Sequence, residues 1–179
     1  MFYVLEAVNI AAILLMLSML VVVIRQQPSR AQMAFVLYDV FTVIFVIGVQ
    51  LELMHADTVG EALSGLCVQY VGQAGFLMAL LHLKETDIET LEVADPFVEG
   101  EVKDIIQAAI NTVVLVGVFT AEHHPYFYSS MKILNDGMYQ RINVSGGIIW
   151  EIHYVHMAAV LLTIQICCGV RYRQSTATQ

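Results

Sequence analysis

Charge is scarce in this chain. Of its 179 residues, 13% are charged and only 8 are Lys or Arg, whereas 58% are hydrophobic. A formal net charge of −8 with no basic patch excludes a nucleic-acid-binding surface. Three cysteines are too few for a disulfide framework. Cys67 and the pair Cys167–Cys168 fall at opposite depths of their hydrophobic runs, so no bridge between those runs is expected. The sequence contains neither CxxC nor HxxxH spacing, and no nucleophile–base motif. Low-complexity tracts, internal repeats and a soluble domain are also missing, and no enzymatic role is expected.

Hydrophobic length is what the chain has instead. Five uncharged or nearly uncharged stretches run over Tyr3–Ile24, Met33–Met54, Ala62–Leu83, Ile105–Ala121 and Ile148–Val170. A hydrocarbon core of roughly 30 Å needs about 20 apolar helical residues, with shorter spans tolerated. The expected fold is therefore all-α: a single membrane domain over residues 1–179 with five transmembrane helices, in contact with the lipid bilayer. No basic n-region precedes the first stretch and no small-residue cleavage site follows it, so it reads as a retained helix. Six of the eight basic residues (Arg25, Arg30, Lys84, Lys103, Arg171 and Arg173) share one side of a regularly weaving chain, against Lys132 and Arg141 on the other. The positive-inside rule then predicts a multi-pass cell-membrane protein with the N-terminus extracytoplasmic and the C-terminus cytoplasmic.

The connections differ in character. Around Pro28 and around His55–Thr58 they are short, and Thr58 with Glu61 three residues on predicts a capping box. From Lys84 to Asp104 the chain is acidic, broken by Pro96 and Gly100, and reads as a solvated loop with at most one helical turn. From Glu122 to Gly147, two aromatic or β-branched runs flank Asn135-Asp136-Gly137, which predicts an extracytoplasmic β-hairpin between helices four and five.

Polar residues inside the apolar stretches are the candidates for function. Asp39, Asn111 and Gln165 lie at similar depth on three helices, an expected intramembrane polar cluster. Five of the six histidines (His55, His123, His124, His153 and His156) fall toward the outer face, beside Glu52, Asp57, Glu61, Glu122 and Glu151. Imidazole and carboxylate together suit a small-ligand vestibule, a pH switch or a transition metal, and the choice of metal stays open. A bis-histidine haem is not expected, because no histidine on another helix matches the depth of His82. No cofactor is expected. Gly65, Gly72 and Ala79, at seven-residue spacing, predict close helix packing, with a homodimer contact as the alternative.

Two blocks of sequence carry a resemblance. The first is Leu51-Glu52-Leu53, then Ala56-x-Thr58-x-x-Glu61-Ala62-Leu63, then Gln69-Tyr70-Val71-Gly72. The second is Thr120-Ala121-Glu122-His123-His124-Pro125-Tyr126-Phe127, followed by Gly147 to Tyr154. Together they resemble the seven-transmembrane sensor region found N-terminal to bacterial histidine kinases and diguanylate cyclases. Where that family carries a basic residue shortly before its Tyr-x-Gly, Cys67, Val68 and Gln69 stand here. The resemblance implies a signal-transduction receptor, homodimeric in its full-length setting, with two more helices and an output domain beyond Gln179. It would detect an unidentified small molecule or ion at the outer face. By position, Glu52, Tyr70, His123, His124, Trp150 and His153 are the expected ligand-facing residues. The competing expectation, a small transporter or accessory subunit of a membrane complex, needs a polar path through the bilayer.

Overall fold

In a computed structural model, residues 2–25, 29–54, 58–88, 97–135 and 140–177 are described. Five helices and one hairpin follow in order: α1 (Phe2–Arg25), α2 (Arg30–Met54), α3 (Val59–Ile88), α4 (Phe97–Phe119), β1 (Tyr128–Asn135), β2 (Gln140–Gly146) and α5 (Ile148–Ala177). In a bilayer each backbone polar group needs an internal partner, which restricts spanning segments to helices or closed barrels. Four of the helices are long and apolar enough to cross: Glu6–Arg25, Gln32–Leu53, Val59–Leu81 and Ile148–Ile166. The fifth, α4, carries a shorter apolar run, Ile105–Phe119.

Local signals set the helix starts. Ser29 opens α2 with a reciprocal capping box: its N–H donates to Gln32 Oε1 (2.8 Å), and the Gln32 N–H donates to Ser29 Oγ (3.3 Å). Thr58 and Glu61 repeat the arrangement at the head of α3, with both bonds at 3.2 Å. Two expectations need correction. The segment 97–104, read as solvated loop, forms the first turns of α4. The helix ends read at Leu83 and Val170 also fall short, since α3 runs on to Ile88 and α5 to Ala177. The expected turn at Pro28, the positions of His55 and Asp57, and the Asp136-Gly137 turn lie outside the described residues.

Packing is tightest between α2 and α3, and glycine makes it so. A Cβ on Gly65 would stand 2.5 Å from the backbone nitrogen of Glu52, and one on Gly72 would stand 2.5 Å from that of Phe45. Seven residues along α3 move the contact seven residues back along α2, as antiparallel helices in constant register require. Gly48 on α2 meets Gln69 in the same way. Where lipid supplies no hydrophobic force between helices, such close approach provides the van der Waals contact that holds them. By contrast α1 is peripheral. Val4, Leu14, Leu15 and Val22 are exposed, and Asn9 Nδ2 donates to Gln50 Oε1 on α2 at 3.2 Å.

The hairpin closes one end of the bundle. Its strands pair antiparallel from Asn135↔Gln140 to Tyr128↔Gly146, with an irregularity between Tyr128 and Ser130. Ser129 sits at this bulge and donates from its hydroxyl toward the carbonyls of Ser145 (3.2 Å) and Gly146 (3.0 Å). A bulge re-aims its neighbouring side chains, and Tyr128 is buried against the bundle. Two backbone bonds tie the start of α5 to the same corner: Gly147 N–H to the Phe127 carbonyl (2.8 Å) and Ile149 N–H to the Tyr126 carbonyl (2.9 Å).

Candidate functional site

Beneath the hairpin lies the main core. Ala62, Leu66 and Tyr70 of α3, Val114 and Val118 of α4, and Phe127, Tyr128 and Ile142 from the hairpin side form one buried cluster. Phe127 is fully buried, edge-on to Tyr70 (centroids 5.0 Å apart) and to Tyr128 (4.8 Å). Tyr70 lies in turn 5.3 Å from the His153 ring. The space expected to be a vestibule is therefore filled with protein.

Inside this plug runs a polar network. His153 is 1% exposed, and its Nε2 is 3.1 Å from Gln73 Oε1. Because that oxygen only accepts, Nε2 is the donor in this contact. His156 repeats the pattern, with Nε2 donating to Gln107 Oε1 at 2.9 Å. Gln107 Nε2 donates to Asn111 Oδ1 (3.2 Å), and Asn111 Nδ2 donates to the Ala74 carbonyl (3.3 Å). One directional chain of donors thus runs from α5 through α4 to α3. Both imidazole Nδ1 atoms are buried without a partner.

The expected site residues fall into distinct settings. Tyr70 and His153 are sealed in the core, with the hydroxyls of Tyr128 and Tyr154 facing that of Tyr70. Glu52 is half-buried and accepts a hydrogen bond from Gln69 Nε2 at 2.7 Å. Trp150 is half-buried and lies tilted against Tyr154, with centroids 4.4 Å apart. His124 locks its own turn: Nδ1 accepts from the Tyr126 N–H (3.3 Å), while Nε2 contacts Thr120 Oγ1 (2.8 Å). His123 is exposed on the surface. The proposed Asp39–Asn111–Gln165 layer is not brought together. Asn111 is committed to Gln107 and Ala74, Asp39 is half-buried on α2, and Gln165 is exposed on α5. Among the described residues no three His, Cys, Asp or Glu side chains gather as a metal site.

Nothing in their spacing along the chain marks Gln73, Gln107 and His156 as a set. Contacts between side chains on α3, α4 and α5 decide which polar residues meet, and no spacing along a single helix encodes them.

Burial pushes the Tyr128 hydroxyl above the usual phenol range, while the bond to Tyr70 opposes the shift. The folded state therefore holds this proton more tightly than the unfolded chain. The associated stability is complete below the ordinary phenol pKa of about 10 and is lost as pH rises through the folded value. Thermal melts at rising alkaline pH should show this loss, and Tyr128→Phe should blunt it. An unchanged alkaline profile in the variant would exclude Tyr128 as its source.

A lateral groove of about 580 Å³ lies apart from this network. Ile44 of α2, residues from Gly60 to Val71 of α3 and Phe119 of α4 line it, and Glu122 stands at its rim.

The architecture is that of a polytopic helical membrane domain whose capped end is linked to mid-bundle by buried polar contacts. The chain belongs to the family described as the N-terminal 7TM region of histidine kinase, whose model matches residues 7–179. That family is a membrane sensory region of two-component signalling. Five helices are present among the described residues. Comparison with curated proteins and with solved structures finds no match.

Proposed function

We propose that this chain is the signal-receiving part of a histidine kinase, with the hairpin end outside and the opposite helix ends in the cytoplasm. A ligand or condition acting at the hairpin end would be relayed by rearrangement of α3, α4 and α5 to a cytoplasmic output domain. Glu52, Tyr70, Trp150 and His153, grouped at the base of the hairpin, are the residues through which the stimulus would act. Orientation rests on the basic residues, six of eight of which lie at the end away from the hairpin.

The observation that carries the reading is the donor chain His156–Gln107–Asn111–Ala74, which joins three helices below the cap. It ends on a backbone carbonyl, which accepts a proton bond but cannot pass a proton on. Such a chain suits a two-state contact better than a conduit. A signal requires two bundle arrangements that the stimulus favours unequally. Bonds between helices that must break and re-form together provide the difference.

A fusion tests it. With α5 joined to a histidine-kinase catalytic core, Gln107→Leu removes both bonds that Gln107 makes while roughly preserving volume. Coupling energies in signalling domains are about 1–3 kcal/mol, so basal autophosphorylation should shift by about 5-fold or more. An unchanged rate from a folded, membrane-inserted variant would sink the relay.

A further inference from the structure

The lateral groove has a polar end and an apolar end, and a carboxylate stands at the polar one. From Gly60 to Val71 its floor descends about 16 Å at the helical rise, about half a bilayer core. The lower part is bounded by Ile44, Val68 and Val71. At the rim stand Ser64 and Glu122, close to Gly60, whose added Cβ would meet Glu122 Oε1 at 3.1 Å. The Ser64 hydroxyl already donates to the Glu61 carbonyl at 2.6 Å, so only its lone pairs remain. Cys67 Sγ is directed at the Val118 carbonyl, 3.8 Å away. Among the described residues no Lys or Arg lines the groove. The side chains at the rim therefore offer acceptors and a negative charge, above an apolar slot.

We propose that this groove binds a single-chain alkyl amine, with its ammonium on Glu122 and Ser64 and its tail along Val68 and Val71. Charge selects the head. An ammonium supplies donors that the side chains of the rim lack, whereas the phosphate of an ordinary bilayer lipid would face the Glu122 carboxylate with like charge. The volume falls within the range of small-molecule sites. As a stimulus, such an amphiphile rests on the sensory reading above; as a ligand, it can be tested without any output.

The probe is dodecylamine carrying a terminal diazirine, photolysed with the chain in phosphatidylcholine nanodiscs and mapped by mass spectrometry. Labelling should concentrate at Ile44, Val68 and Val71. Glu122→Gln, at an exposed position, should reduce it by about tenfold, the scale of one charged hydrogen bond. Val68→Trp should block the slot with the carboxylate intact, and the matching carboxylate-headed probe should not label it. Equal labelling in Glu122→Gln, equal labelling by the carboxylate probe, or labelling spread over the exposed faces of α1 and α5 would each overturn the proposal. If the groove labels as expected but the amine leaves the kinase fusion silent, the groove stands and its role as the stimulus site falls.

Discussion

Gly72→Leu should leave the chain unable to assemble α2 on α3, and even Gly72→Ala should be costly. An added Cβ would lie 2.5 Å from the Phe45 nitrogen and 2.7 Å from its Cα and Cβ. These are backbone or near-backbone atoms, and a rotamer change cannot move them aside. Overpacking of this kind costs about 1–3 kcal/mol when a structure can relax. Here relaxation means separating two helices over their length, because Gly65 and Gly48 hold the same interface at equally short range. Against a total stability of about 5–15 kcal/mol, the alanine variant should unfold at clearly lower denaturant and the leucine variant should fail to fold. Denaturant titration in nanodiscs reads the difference. Val155→Ala, on the exposed face of α5, is the control that should match the parent. A Gly72→Ala midpoint indistinguishable from that control would show that the two helices are not held as closely as described.

Phe127→Ala is the second large effect. The ring is fully buried, touches the edges of Tyr70 and Tyr128, and lies over Gly117, where a Cβ would come within 2.9 Å of it. Removing it opens a cavity under the hairpin at about 3–5 kcal/mol. The same truncation at Phe119, which is 60% exposed, should cost little, since lipid replaces the contacts it makes. Limited proteolysis should therefore cut the hairpin of Phe127→Ala first and spare that of Phe119→Ala. Equal protection in both variants would show that Phe127 does not pin the cap. The kinase fusion should also lose its normal basal rate in Phe127→Ala, because the cap bears on Tyr70 and through it on His153.

Phe119 and Phe127 show where sequence reading stops. They are eight residues apart, equally apolar, and flank the same loop. Nothing local marks one as lipid-facing and the other as the centre of the core. The same holds for His153 and His123, one sealed inside and one on the surface. Sequence placed both near one end of the bundle, which is where they are. Their opposite environments follow from how the hairpin folds back over α3.

The number of helices, the hairpin between the fourth and fifth, the capping box at Thr58 and the family are all legible in the residues alone. Each rests on local information: apolar length set by bilayer thickness, alternating turn chemistry, a three-residue spacing and short motifs. The antiparallel register of α2 on α3, the plug under the cap, the donor chain from His156 to Ala74 and the lateral groove emerge only when the helices pack. The reason lies in the solvent. In water, an apolar stripe betrays the face a helix buries. In lipid, inner and outer faces are both apolar, so only the fit of particular side chains across helices tells them apart.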